Sequence, residues 1–188
     1  LTLTTIDLAA LTAAQGSTLF GAGLFDFSGR SVSSAGDVNG DGFDDLLIGA
    51  SSADASGNAK SDAGESYVIF GGASLPPTID LANLGTAGIT LFGGEANDRS
   101  GRSVSSAGDV NGDGFDDLFI GAWLADASGN AKSYADESYL IFGKGDWSTT
   151  PTIDLANLGS AGITIFGAKA GDYSGYSVSS AGDVNGDG

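Results

Sequence analysis

The chain has no cysteine, no methionine and no histidine among its 188 residues. Without cysteine and histidine it can offer neither disulfides, nor thiol nucleophiles, nor the usual ligands of a zinc site. A Ser-His-Asp arrangement is excluded for the same reason. Basic side chains are also scarce: seven Lys and Arg stand against 24 Asp and Glu, a formal charge of −17. Phosphate recognition needs a basic face, so no nucleic-acid partner is expected. No run approaches ~18 consecutive apolar residues, so no membrane insertion is expected, and no leader pattern is visible. The missing methionine marks the chain as a processed or excised piece. What is plentiful is glycine, 32 residues, which argues against long helices.

Against this background one string recurs. Asp37-Val-Asn-Gly-Asp-Gly-Phe-Asp-Asp45 returns as Asp109 to Asp117, and a third copy runs from Asp183 to Gly188. Positions one, three, five and nine carry Asp37, Asn39, Asp41 and Asp45, then Asp109, Asn111, Asp113 and Asp117. The third copy supplies Asp183, Asn185 and Asp187 before the chain stops at Gly188. Position seven, Phe43 or Phe115, would add its backbone carbonyl. Hard oxygens at alternate positions of a glycine-turned loop suit calcium, which takes six to eight of them at roughly 2.3–2.6 Å. A plain hairpin turn needs one Asn-Gly or Asp-Gly. Here two are interleaved with oxygens in every copy.

The loop departs from an EF-hand, which closes with a bidentate Glu at position twelve and is flanked by helices. Position twelve here is Ile48 or Ile120, and the segments Leu46 to Ala50 and Leu118 to Ala122 read as buried strands. Asp45 and Asp117 must therefore close the loop, which joins two strands. Without a cation the loop carboxylates repel one another, so binding and folding should be coupled. Weak sites of this kind suit extracellular calcium, on the order of 10⁻⁴–10⁻³ M, which favours an extracellular or cell-surface home.

The repetition extends beyond the loop. Asp37 to Asp109 is 72 residues and Asp109 to Asp183 is 74. Ser28 to Gly36 recurs as Ser100 to Gly108 and Ser174 to Gly182. Ile6-Asp-Leu-Ala9 returns at Ile79 and Ile153, and Tyr67 to Gly71 returns as Tyr139 to Gly143. The extra length lies in Lys144 to Pro151, which replaces Gly72 to Pro77. A fixed period of this size means an array of like supersecondary units. One period holds four strand-like runs, Ser31 to Ala35, Leu46 to Ala50, Tyr67 to Phe70 and Thr90 to Phe92, each bounded by turn residues. Four short antiparallel strands per repeat make a propeller blade.

Residues 27–50 resemble the FG-GAP repeat, the blade unit of integrin α-chain heads and of many bacterial surface proteins; 101–122 match as well, and 175–188 match as far as they go. The resemblance implies an all-β, seven-bladed propeller with calcium in the hairpin between the first two strands of a blade. It implies Asp37, Asn39, Asp41, the Phe43 carbonyl and Asp45 as one ligand set, and Asp109, Asn111, Asp113, the Phe115 carbonyl and Asp117 as the next. Two full periods are too few to close such a ring, so a partial propeller or tandem array is expected. Residues 1–21 hold a preceding blade's fourth strand (Thr18 to Phe20), 22–93 the first repeat, 94–167 the second, and 168–188 the start of a third, with its first strand over Ser177 to Ala181. Open edges at both ends invite pairing with neighbouring repeats or other copies.

Other features read more plainly. Gly57-Asn-Ala-Lys-Ser61 lacks the glycines of a phosphate loop and reads as a solvated loop. Asp54, Asp62 and Glu65, and then Asp126, Asp136 and Glu137, do not keep register between copies, so a charged outer loop is preferred to a second calcium site. Asp26, Asp98 and Asp172 each precede a serine by two residues, a turn pattern. Asp44 and Asp45 are neighbours and face opposite ways on a strand, unlike a glycosidase pair. Trp123 and Trp147 break the repetition, as anchors for a ligand or as fillers between blades.

The sequence thus points to a non-enzymatic calcium-binding repeat module for adhesion, surface coating or self-assembly, its partners like repeats, a surface protein or a glycan. An accessory propeller of a larger secreted hydrolase or lipase, and a lectin-like propeller, are the alternatives.

Overall fold

The computed structural model describes residues 7–12, 14–55, 59–126 and 133–182. Its strands are β1 Thr18–Phe20, β2 Ser31–Gly36, β3 Asp45–Ala50, β4 Glu65–Ile69, β5 Thr78–Asp80 and β6 Gly88–Phe92, then β7 Ser100–Gly108, β8 Asp117–Ala122, β9 Glu137–Ile141, β10 Thr152–Asp154 and β11 Gly162–Phe166. β2, β3, β4 and β6 pair antiparallel in that order, and β7, β8, β9 and β11 repeat the arrangement. These are two four-stranded blades of an all-β, propeller-type array.

The apolar runs have a direct cause. Side chains alternate across a strand, so a sheet sandwiched between two others must be apolar on both faces. In β3, Leu47 packs into the core shared with the second blade, while Ile48 joins the core on the opposite face with Tyr67 and Ile79. Val68, next to Tyr67 on β4, points back into the first core with Ile120 and Leu118. Blades approach closely enough that a Cβ on Gly49 would sit 2.0 Å from the Gly101 carbonyl oxygen, and one on Gly121 the same distance from that of Gly175. Glycine is required there by contact between backbones.

The serines of the first strands tie blade to blade: the Val104 N–H donates to Ser31 Oγ at 3.1 Å, and the Val178 N–H donates to Ser103 Oγ at 3.0 Å. Residues 177–181 form no strand, contrary to the sequence expectation. They lie against β7 through hydroxyl contacts, including Ser180 N–H to Ser105 Oγ, because no second strand follows among the described residues to complete a ladder.

A fifth strand per blade went unread. Thr78-Ile-Asp80 crosses to the preceding blade and adds parallel to its fourth strand, pairing Thr18↔Thr78, Leu19↔Ile79 and Phe20↔Asp80. Thr152-Ile-Asp154 does the same on β6, pairing Thr152↔Thr90, Ile153↔Leu91 and Asp154↔Phe92. Each such strap ends in a 3-10 turn capped by its own aspartate, Asp80 to the Ala82 N–H and Asp154 to the Ala156 N–H. Asp154 also pairs with Lys60 Nζ at 2.7 Å, linking the strap to the first blade.

Candidate metal centre

The two described nine-residue loops join β2 to β3 and β7 to β8, and they agree partner for partner. Asp37 curls under its own loop: Oδ1 accepts from the Gly40 N–H (2.7 Å) and the Asp41 N–H (3.0 Å), and Oδ2 from the Gly42 N–H (2.9 Å). Asp109 takes Gly112, Asp113 and Gly114 in the same way. Gly40 and Gly42, at φ 73° and 89°, supply the left-handed turns that aim these amides inward. Asn39 Nδ2 donates to Asp41 Oδ2 at 3.0 Å, and the Phe43 N–H donates to Asp41 Oδ1 at 3.0 Å.

Position nine differs in kind. Asp45 and Asp117 are buried, and each carboxylate braces the loop base. Asp45 accepts from the Val38 N–H at 3.0 Å and from the Gly71 N–H at 2.7 Å; Asp117 accepts from Val110 and Gly143. Burial pushes Asp45 up to about 6; those two amides oppose the shift, while the charges of Asp41 and Asp37 add to it. Burial raises Asp117 likewise, with Asp113 and Asp109 adding their repulsion. Asp109 itself is held below the usual carboxylate range, first by the Gly114 N–H.

Positions one, five and nine of each loop therefore act on one locality, and every donor is a hard oxygen, a set that suits calcium. The side chains nonetheless stand turned to backbone amides, and among the described residues no three acidic groups are gathered as ligands. Holding a cation would mean exchanging amide contacts for metal contacts. Asp183, Asn185 and Asp187 lie outside the described residues.

The loops differ in their cover. Val38 is fully buried whereas Val110 is 52% exposed. The second blade caps the first loop: the Lys144 N–H donates to the Val38 carbonyl at 3.0 Å, Trp147 Nε1 donates to the same oxygen at 3.3 Å, and Phe115 lies over Gly40. Trp147 is thus a filler between blades. Trp123 instead meets Tyr176 edge-on, ring centroids 5.5 Å apart, with Tyr173 at 6.3 Å.

A second acidic feature is one that the sequence reading split into a turn and an outer loop. Glu95, Asp98, Asp126, Glu137 and Tyr139 line a cavity of about 210 Å³. Asp98 is buried and accepts from the Glu95 N–H at 2.8 Å. Burial pushes it up to about 7, the Glu95 amide opposing and Glu137, Glu95 and Asp126 adding. Asp26, Asp54 and Glu65 are the first-blade counterparts, and burial raises Asp26 and Glu65. Asp136, where the first repeat has Gly64, is buried, and among the described residues its carboxylate oxygens have no hydrogen-bond partner. The recurrence of Asp26, Asp98 and Asp172 was the available signal; loop-to-cavity distance was not.

The family comparison falls on the loops and the strands that hold them: the FG-GAP repeat matches residues 28–69 and 100–135. These are FG-GAP repeats. Similar FG-GAP-bearing stretches occur in Integrin alpha pat-2 of Caenorhabditis elegans, 38% identical over 108 residues, 55% of this chain and 8% of that protein. Integrin alpha-5 of Xenopus laevis is 37% identical over 108 residues, 53% of this chain and 10% of its own length. Phosphatidylinositol-glycan-specific phospholipase D of Dictyostelium discoideum is 30% identical over 159 residues, 78% of this chain and 16% of that protein. The match to these relatives therefore spans well under a fifth of their length. Among the described residues no helix is long and apolar enough to cross a membrane.

Proposed function

We propose that this chain is a calcium-stabilised, non-enzymatic FG-GAP module of a secreted or cell-surface protein, acting in adhesion, surface coating or self-assembly. One observation carries the reading. Each described loop places a buried carboxylate, Asp45 or Asp117, under the field of two further carboxylates, with no positive side chain bonded to any of the three among the described residues. A divalent cation relieves that repulsion, and the ligands would be the five oxygens of positions one, three, five, seven and nine. The similarity to two integrin alpha chains supports the adhesive side of the reading.

The similarity to a phospholipase D over 78% of the chain favours one alternative, an accessory module of a larger enzyme. In that case too the calcium is structural.

The test is thermal unfolding with calcium and then with excess chelator, alongside calorimetric titration. Calcium should raise the midpoint and bind at each complete loop, and Asp45→Asn should remove one site. A midpoint indifferent to chelator, with no calcium heat, overturns the reading.

A further inference from the structure

We propose that the cavity at the seam of the two blades, between the first nine-residue loop and the connection over residues 144–151, is a binding site for a neutral saccharide unit. The site stands on the chain's own residues; only its use in adhesion rests on the reading above.

The cavity has a volume of about 310 Å³. That lies at the lower end of the ~300–1,000 Å³ of small-ligand pockets, a size for a small ring compound and not for a folded partner. Residues of both repeats meet in it. Asn39 and Asp41 come from the first loop, Phe70 and Thr86 from the connection between β4 and β6, and Trp147, Ser148 and Pro151 from the second blade. The part contributed by the second blade is pinned. The Lys144 N–H and Trp147 Nε1 both donate to the Val38 carbonyl, at 3.0 and 3.3 Å. The Thr150 N–H donates to the Trp147 carbonyl at 3.0 Å, and the Ser148 N–H donates to Asp146 Oδ1 at 2.8 Å. The Pro151 carbonyl accepts from the Thr90 N–H at 3.0 Å. The longer connection of the second repeat is thus a fixed wall, and a fixed wall loses little entropy when a ligand seats on it.

The chemistry of the lining selects the ligand. Of the described residues that line the cavity none is basic and Asp41 is acidic, so a phosphate, sulfate or carboxylate is repelled. The indole N–H of Trp147 is spent on Val38 and the Lys144 ammonium lies over its ring at 4.7 Å, so Trp147 offers the cavity carbon, as do Phe70 and Pro151. A wholly apolar ligand would take water from the Asp41 carboxylate without replacing it. A saccharide matches both parts. Its hydroxyls donate to the Asn39 and Asp41 oxygens and accept from the exposed Thr86 and Ser148 hydroxyls, while its C–H face lies on aromatic and proline carbon. An organic cation would be drawn by Asp41 alone and would leave the hydroxyls and the carbon surface unused. Asn39 and Asp41 are also positions three and five of the loop, so a cation held there offsets the Asp41 charge and favours a neutral ligand further.

The experiment follows amide chemical shifts of the full chain in calcium during titration with glucose, galactose, mannose, fucose and N-acetylglucosamine. N-acetylneuraminic acid and agmatine serve as the anionic and cationic controls. At least one neutral sugar should shift the amides of Asn39, Thr86 and Ser148 saturably, and neither control should. Thr86→Ala and Ser148→Ala, both at exposed positions, should each weaken that binding by about twofold to tenfold and leave the unfolding midpoint unchanged. No saturable shift with any neutral sugar overturns the proposal. So does preferential binding of either control, and so does sugar binding that both substitutions leave untouched. If chelator lowers the unfolding midpoint while no sugar moves these amides, only this inference falls. If a sugar binds there while chelator leaves the midpoint unchanged, the calcium reading falls instead.

Discussion

Asp37 and Asp116 hold each other twice across the seam between repeats. The Asp37 N–H donates to Asp116 Oδ2 at 2.8 Å, and the Asp116 N–H donates to the Asp37 carbonyl at 3.1 Å. The residue that opens one loop is therefore fixed by the penultimate residue of the next. A change in either loop has a direct route to its neighbour.

Asp116→Ala leaves the partly buried Asp37 N–H without its acceptor and should cost about 1–3 kcal/mol in urea unfolding. Asp44 holds the same place in the first loop and is exposed, so Asp44→Ala should stay within about 0.5 kcal/mol. Equal losses for the two would remove the coupling.

Gly49→Ala should be among the most damaging single changes. Its Cβ would lie 2.0 Å from a backbone oxygen of Gly101, which cannot swing aside, so a loss above about 3 kcal/mol is expected. Gly112 has φ 74° with open space around it, and Gly112→Ala should cost only the left-handed penalty, roughly 1–2 kcal/mol. Denaturation midpoints of the pair check the order.

Trp147 is 6% exposed, takes the Lys144 ammonium over its ring at 4.7 Å, and closes the first loop from above. Trp147→Ala should cost about 3–5 kcal/mol. Trp123 trades only half-exposed aromatic contacts with Tyr173 and Tyr176, so Trp123→Ala should cost nearer 1 kcal/mol. Both changes can be read by chemical denaturation.

Calcium-free protein should gain stability on mild acidification. Asp98 is pushed up to about 7 by burial, with Glu137, Glu95 and Asp126 adding, and Asp136 to about 7 by burial, with Asp126 and Asp172 adding. A raised carboxyl holds its proton in the folded state while the unfolded chain has released it. Stability therefore falls as pH rises from about 4 to 7, by up to about 1.4 kcal/mol per pH unit for each group. The lowered Asp109 contributes in the opposite sense but below that window. The unfolding midpoint should be higher at pH 5 than at pH 8, and Asp98→Asn should flatten the difference. A midpoint that climbs from pH 5 to pH 8 without calcium would contradict the assignment.

The amino-acid sequence by itself determined what is local and periodic. The spacing of Asp37, Asn39, Asp41 and Asp45 and its recurrence at Asp109 located the loops, and turn residues around short apolar runs located β2, β3, β4 and β6 to within a few residues. Both are encoded in consecutive residues, where a side-chain period of two and the conformational freedom of glycine act directly. Tertiary structure decided whatever depends on the seam between blades. Thr78-Ile-Asp80 is legible in the sequence only through its part in a recurring Ile-Asp-Leu-Ala string, and pairing with the edge of β1, far away in sequence, makes it a strand. The two-way bond between Asp37 and Asp116 spans 79 residues, and the acidic cavity draws Asp98 and Glu137 from different turns of the chain. Trp147 reads as either anchor or filler until Val38 is seen beneath it. In each case the deciding partner lies far away in the sequence, and its distance is fixed by how the strands and blades stack, which no local pattern records.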